Sequence, residues 1–225
     1  MIRFFDVLLS AIALFILLPL FLPISILLKS TGEGEVFFLQ ERIGKDGKKF
    51  MLFKFATMLK NSPNIGTATV TMKNDPRVLP VGRFLRKTKI NELPQLLNIF
   101  FGDMSVIGPR PLTSEAFESY SDNTKCLIKK VRPGLSGIGS IVFRAEEEIM
   151  HGATGSIDFY ENVIAPYKGK LEEWFVINKS FYIYFLAIFI TAWAVLIPST
   201  KIVWRVFKDL PEPPNDLKHA LNFTN

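Results

Sequence analysis

Residues 7–28 read VLLSAIALFILLPLFLPISILL and contain no charged side chain. As one straight helix they would reach about 33 Å, enough to cross the hydrocarbon core of a bilayer. A cleaved signal peptide would have a shorter apolar core and a small-residue cleavage site, and Lys29-Ser30-Thr31-Gly32-Glu33 is a poor one. Pro19 and Pro23 fall inside the run, and each removes an amide donor that a helix in lipid needs. Arg3 precedes the run and Lys29 follows it, so the bias of basic residues toward the cytoplasm favours both ends on that side. A helix broken near Pro19, dipping into one leaflet and returning, meets both observations. A straight span with proline kinks is the alternative.

The rest of the composition narrows the class. The chain has 225 residues, 48% hydrophobic and 21% charged, which excludes a disordered or low-complexity protein. Its net charge of +6 suits an anionic ligand or surface. The single cysteine, Cys126, cannot form an internal disulfide, and with only His151 and His219 beside it a zinc site of Cys/His type is excluded.

A second apolar stretch, residues 181–198, lies between Lys179 and Lys201 and is at the lower limit for a span. Beyond it, Lys201, Arg205 and Lys208 recur on one helical face, with Ile202, Val203, Val206 and Leu210 on the other and Trp204 between. The pattern predicts a basic amphipathic helix lying on an anionic leaflet, with an ordinary solvated helix packed on the core as the alternative. Residues 212–225, opened by three prolines, read as a polar tail.

Between these ends, residues 30–180 read as one compact domain. Short strands at 36–40 and 49–55 flank Lys45-Asp46-Gly47, a hairpin turn signal. A helix over 94–100 opens near Asn91, a favoured N-cap residue, and further helical patterns cover 114–120 and 158–179. The fold class expected is therefore α+β and mainly helical. Its parts are a membrane helix over 1–29, a small domain with a β-hairpin over 30–180, interfacial C-terminal helices over 181–210 and a tail over 211–225.

Arg77, Arg83, Arg86, Lys87, Lys89 and Arg110 face only Glu92 and Asp103 in their stretch of chain. Such a run beside a helix N-terminus suits phosphate groups, met by guanidinium forks and first-turn amides. The membrane segments argue against nucleic acid, the usual partner of a basic patch. In Gly108-Pro109-Arg110-Pro111 the flanking prolines stiffen the backbone that presents the arginine, and Arg132-Pro133-Gly134 repeats the theme. Ordinary turns with solvent-facing arginines are the plainer reading of both. Glu92, near a helix N-terminus, is either a first-turn stabiliser or a carboxylate available as metal ligand, nucleophile or base.

Taken in order, these segments resemble the bacterial sugar transferases, the monotopic polyprenyl-phosphate phosphoglycosyl transferases. The resemblance is carried by Phe38-Leu39-Gln40-Glu41-Arg42-Ile43-Gly44, Lys54-Phe55-Ala56-Thr57-Met58, Asp75-Pro76-Arg77 and Val81-Gly82-Arg83-Phe84-Leu85-Arg86-Lys87-Thr88. It continues through Glu92-Leu93-Pro94-Gln95-Leu96-Leu97-Asn98, Gly102-Asp103-Met104-Ser105-Val106-Ile107-Gly108-Pro109-Arg110-Pro111 and Arg132-Pro133-Gly134.

The resemblance implies transfer of a sugar-1-phosphate from a UDP-sugar to undecaprenyl phosphate, with release of UMP. This would be the first membrane step of capsule, O-antigen, exopolysaccharide or glycan assembly at the cytoplasmic face of the bacterial inner membrane. It implies a re-entrant N-terminal helix, Mg2+ as cofactor, and an adjacent Asp-Glu pair whose Asp attacks phosphorus. A bilayer plane also makes a homodimer easy. By this resemblance Asn91 stands at the nucleophile position and Glu92 is the catalytic or metal-binding carboxylate. Arg86 and Arg110 are phosphate clamps helped by Arg77 and Arg132, and Glu172 or Glu173 falls near an acidic position of the family.

The chain departs from the pattern at three places: Asn91 replaces the usual Asp, Ala56 a usual basic residue, and Leu18 the Ser before the membrane proline. A neutral carboxamide is a poor nucleophile and a weak Mg2+ ligand. Hence either Glu92 takes over the attack, or the mechanism is altered, or the protein binds polyprenyl phosphate or a partner without turnover.

Overall fold

The computed structural model describes residues 1–31, 33–62, 75–144, 146, 149, 157–197 and 201–223. His151, Pro198 and Ser199 lie outside them, as does the side chain of Lys201. The chain divides into two compact units, one of residues 4–41 and 51–102, the other of residues 1–3, 42–50 and 103–225.

The helix α1, Ile2–Lys29, dominates the first unit. Its backbone stays helical through Pro19 and Pro23, where the sequence predicted a break. Pro19 has no N–H to offer the carbonyl four residues earlier, at Phe15, a residue 80% exposed. The helix buries Ile24 and Leu28 near its end, against Phe55 and Leu85.

The strands β1 (Phe37–Ile43) and β2 (Lys49–Phe55) form a two-stranded hairpin whose turn contains Asp46 and Gly47 at positive φ. That is the backbone for which a Lys-Asp-Gly turn is suited. After Asp75 the chain bridges Met58 with Val78 and enters α2, Pro80–Lys87. Here Gly82 passes so close to the strand that a Cβ would lie 2.1 Å from the Thr57 carbonyl oxygen. A short 3-10 turn, Ile90–Glu92, then leads to α3, Gln95–Phe101. Asn98, fully buried, fixes α3 to the hairpin: its Oδ1 accepts the Phe53 amide at 3.0 Å and its Nδ2 donates to the Met51 carbonyl at 2.8 Å.

The second unit is built on a parallel pair of three-residue strands, β3 (Ser105–Ile107) and β4 (Gly134–Ser136), with Ser105 opposite Gly134 and Ile107 opposite Ser136. The short helices α4 (Ser114–Glu118) and α5 (Asp122–Ile128) are capped by Thr113 and Ser121, whose side chains accept from Ala116 and Thr124 amides. After α6 (Ile138–Val142), α7 (Ile157–Phe159) runs through a π-helical turn, Tyr160–Ile164, into α8 (Ala165–Asn178). Leu112, Phe117, Tyr120, Ile128 and Ala165 make one core cluster of this unit.

Helix α9, Phe181–Leu196, buries Tyr184, Ala187, Ile190 and Ala194 against α6 and β3. It spans about 24 Å, short for a lipid crossing, and one face is committed to protein.

The C-terminal part corrects two expectations. Helix α10 covers Lys201–Val206, but Val203, Phe207 and Leu210 are buried, with the Phe207 ring edge-on to Trp174. The Trp204 indole donates to the Leu221 carbonyl at 3.1 Å and meets Phe223 edge-to-face. Protein covers Val203 and Leu210 of the apolar side that the sequence pattern assigned to lipid, and leaves Ile202 and Val206 half-buried. The stretch read as a polar tail supplies that cover: α11 (Asn215–Lys218) and the turn after it bury Leu217 and Leu221, and the Tyr167 hydroxyl donates to the Pro211 carbonyl at 2.7 Å.

Candidate active site

In the first unit the candidate residues sit on the turn between α2 and α3. Lys89 adopts a left-handed backbone (φ 60°), rare for a residue with a Cβ, and it starts the tight turn that carries Asn91 and Glu92. The Glu92 amide donates to the Lys89 carbonyl at 3.1 Å. Asn91 does not cap α3: the residue before that helix is Pro94, and no side chain caps it. Instead Asn91 is 6% exposed and its Oδ1 is buried with no hydrogen-bond partner. An unsatisfied buried acceptor is costly and calls for a function. Glu92 is half-buried.

Arg86, half-buried on α2, points Nη1 at the Met58 sulfur, 3.9 Å away. Arg77 is placed differently from a phosphate clamp. It is 4% exposed, its Nη2 and Nε donate to the Asp75 carboxylate at 2.6 and 2.9 Å, and its Nη1 donates to the Ser62 carbonyl at 2.9 Å. It braces the approach to α2. Ala56, standing where the resemblance has a basic residue, is buried, with its amide on the Val36 carbonyl.

In the second unit the two arginine-proline motifs, far apart in sequence, are joined by backbone. The Ser105 amide donates to the Pro133 carbonyl, the Gly134 amide to the Pro109 carbonyl, and the Gly108 amide to the Ser136 carbonyl, all at 2.8–2.9 Å. A Cβ on Gly134 would fall 2.1 Å from the Gly108 nitrogen, so the glycine permits the approach. Arg110, exposed, and Arg132, half-buried, thus leave one rigid strand pair.

Beneath Arg110 lies a cluster of buried ionisable groups. Glu172 on α8 is 2% exposed; its Oε1 accepts the Arg110 amide at 3.3 Å, and its Oε2 has no partner. Burial lifts its carboxyl to about 7, against the pull of the Arg110 amide and of Lys168. Lys168, one helical turn away on α8, pairs with Glu146 at 2.7 Å and lies over the rings of Phe143 and Tyr160. Burial lowers its pKa, and burial likewise raises the phenols of Tyr120 and Tyr160. Glu173 faces elsewhere and accepts from the Thr124 hydroxyl.

Of this cluster the resemblance indicates only Glu172, as one of two neighbouring carboxylates with Glu173, and it misses Lys168, Glu146, Tyr120 and Tyr160. The i,i+4 spacing of Lys168 and Glu172 was a readable signal that the two share a face. Their burial was not.

The profile described as "Bacterial sugar transferase" matches residues 1–198. The chain belongs to the bacterial sugar transferase family. It is 41% identical over 153 residues to the exopolysaccharide production protein ExoY of Rhizobium meliloti (strain 1021), covering 62% of this chain and 67% of that protein. It is 41% identical over 143 residues to the UDP-glucose:undecaprenyl-phosphate glucose-1-phosphate transferase of Klebsiella pneumoniae, where 62% of this chain meets 30% of that protein. Over 153 residues it is 35% identical to the undecaprenyl-phosphate galactose phosphotransferase of Salmonella typhimurium, with 62% and 32% covered. This chain therefore matches about a third of those two longer relatives. As a bacterial sugar transferase it is a phosphoglycosyl transferase by family.

Proposed function

We propose that this sugar transferase moves a sugar-1-phosphate from a UDP-sugar to undecaprenyl phosphate, giving undecaprenyl-diphosphate-sugar and UMP. The observation that carries the reading is the family match over residues 1–198 together with two relatives whose names state that acceptor. The step would begin an exopolysaccharide, capsule or O-antigen chain at the cytoplasmic face of the inner membrane, with α1 as a re-entrant or spanning anchor. The exposed apolar surface of α1 supports such an anchor, with Phe15, Ile16, Leu18 and Leu22 all uncovered by protein.

In the proposed chemistry a carboxylate oxygen bonds to the phosphorus next to the sugar. The bond from that phosphorus to the bridging oxygen breaks, and UMP leaves with the bridging oxygen. A polyprenyl-phosphate oxygen then attacks the same phosphorus and frees the carboxylate. Glu92 is the carboxylate we assign to this role, since Asn91 is neutral. Arg86, in the same unit as Glu92, is assigned to the diphosphate charge, and Arg110 and Arg132, in the other unit, are kept as phosphate-binding candidates. Arg77 supports the site by bracing α2.

Among the described residues no group of three or more His, Cys, Asp or Glu gathers to hold a metal alone. Mg2+ needs only one or two protein oxygens beside water and substrate phosphates. Glu92 and the unpartnered Asn91 Oδ1 are oxygen donors on one turn, and they fit that demand. When bound, Mg2+ would neutralise developing charge on the diphosphate.

The buried amide at position 91 favours a second reading, a protein that binds polyprenyl phosphate or a partner without turnover. UMP release in nanodiscs, with undecaprenyl phosphate, Mg2+ and a panel of UDP-sugars, separates the two. Turnover by the chain as it stands, abolished in Glu92→Gln, supports the transferase with Glu92 acting. Turnover only in Asn91→Asp supports the binding role, and no turnover in either with any UDP-sugar sinks the transferase reading.

A further inference from the structure

We propose that Lys129 is a second cation of the Arg110 phosphate site, and that the recess these two residues line receives a phosphate group. Both belong to the second unit, and so does every residue that lines the recess. Its walls are largely apolar, with Ile43, Leu112, Val131 and Pro133 among them, and Arg110 and Lys129 are its charged members. No Asp or Glu joins them in the lining among the described residues. Two like charges at one apolar recess repel each other and favour an anion between them. Glu172 does not supply that charge, since it meets the main-chain N–H of Arg110 and is not part of the lining. With its solvent-open side included the recess measures about 270 Å3, several times the roughly 30 Å3 share of a water molecule. A phosphate group has room there.

Lys129 is held at the recess by contacts that leave its charge unneutralised. It closes α5, and its carbonyl accepts the Asp46 amide at 2.8 Å, which ties it to the hairpin turn. Its stem passes Gly47, where a Cβ would stand 3.6 Å from the lysine Cε. Nζ lies 4.9 Å from the centre of the Phe117 ring. An ammonium over a ring keeps its charge and its donors. Lys129 is half-buried and makes no ion pair among the described residues. Its neighbours differ: Lys125 is spent on Glu118 and Asp122 at 3.1 and 3.0 Å, and Lys130 is exposed and outside the lining. The plainer role for Lys129 is to complement the C-terminal dipole of α5. That explains a cation at this helix end but not one that shares a recess with Arg110.

The proposal rests on Arg110 as a phosphate partner and not on turnover. Inorganic phosphate is the probe, followed by its phosphorus NMR line width on the full chain in phosphatidylcholine nanodiscs at fixed ionic strength. Its affinity should fall roughly tenfold in Lys129→Gln, and stay within about twofold of the parent in Lys129→Arg and in Lys130→Gln. A lower melting temperature for Lys129→Gln with unchanged phosphate affinity below the transition leaves only the helix-end role and overturns the proposal. Equal weakening in Lys130→Gln makes the effect one of overall charge and overturns it too. Competition then names the source of the phosphate. Displacement of the Lys129-dependent phosphate by UDP-glucose assigns the recess to the donor, and displacement by undecaprenyl phosphate in the disc assigns it to the acceptor. Displacement by neither means adventitious anion binding only and overturns the proposal. A chain that passes these titrations but releases no UMP fails the transferase reading alone.

Discussion

The carboxyl of Glu172 accepts the main-chain N–H of Arg110 at 3.3 Å, so a residue of α8 holds the loop that presents the arginine. The hydrogen bond is made deep in the second unit, where the second carboxylate oxygen has no partner. The acid is therefore most stable neutral, and the fold carries a pH dependence that can be measured.

Burial raises the Glu172 carboxyl from 4.5 to about 7 in the folded state. A raised carboxyl binds its proton more tightly folded than unfolded, so its contribution is fully present below about 4.5 and is lost as pH rises through about 7. Glu172→Gln keeps an acceptor for the Arg110 amide and removes the titration. The melting temperature of the parent relative to Glu172→Gln should thus fall between pH 4.5 and 7.5, by the equivalent of about 3 kcal/mol at most. Parallel melting curves across that range would refute the assignment.

Gly139 is the residue that makes room for this carboxylate. A Cβ there would stand 2.5 Å from Glu172 Oε1, on a helix whose neighbours Ile138 and Ile141 are buried. Gly139→Ala should destabilise by about 1–3 kcal/mol through overpacking, despite the better helix propensity of Ala. Combined with Glu172→Ala the clash disappears, so the pair should cost less than the sum of the singles. Additive costs in a denaturant-based cycle would show that the contact has no energetic weight.

Such relationships mark where the sequence stopped being legible. The hairpin was readable because Asp46 and Gly47 supply the positive φ its turn needs, and α3 because its apolar positions recur at helical spacing. The parallel pair of β3 and β4 was not, since three residues hold too little periodicity and the partner lies far along the chain. At the C-terminus the amphipathic pattern of 201–210 was read correctly as a pattern, but periodicity says that a face is apolar and not what covers it. Leu217 and Leu221, scattered among prolines and charges, gave no sign that they would be the cover. The site divides likewise: Asn91 and Glu92 were found by their neighbours in sequence, whereas Lys168 and Glu146 meet only in three dimensions.

Arg77 separates structural from binding roles. Its guanidinium is spent on Asp75 and the Ser62 carbonyl inside the first unit. Arg77→Ala removes the guanidinium from the Asp75 carboxylate but keeps the bond from the residue 77 amide, a loss of about 1.5–3 kcal/mol for charged hydrogen bonds of this kind. The variant should melt well below the parent. Any of it that remains folded should bind UDP-sugar with unchanged affinity, measured by calorimetry below its melting transition. A large loss of affinity with an unchanged melting temperature would return Arg77 to the phosphate site.

Asn91 behaves in the opposite sense. Its Oδ1 is buried but makes no hydrogen bond, so truncation removes an unsatisfied acceptor rather than a bond. Asn91→Ala should therefore cost under about 1 kcal/mol, or even stabilise, as a residue retained for binding rather than folding would. Asn91→Asp should be less stable than the parent near neutral pH, because it places an added charge in the same buried spot beside Glu92. Added Mg2+ should recover part of that loss if the two carboxylates hold the ion, and should leave Asn91→Ala almost unmoved. Melting temperatures of the three proteins with and without Mg2+ decide this without any turnover. A stable Asn91→Asp that ignores the metal would take both the ion and the strain away from this turn.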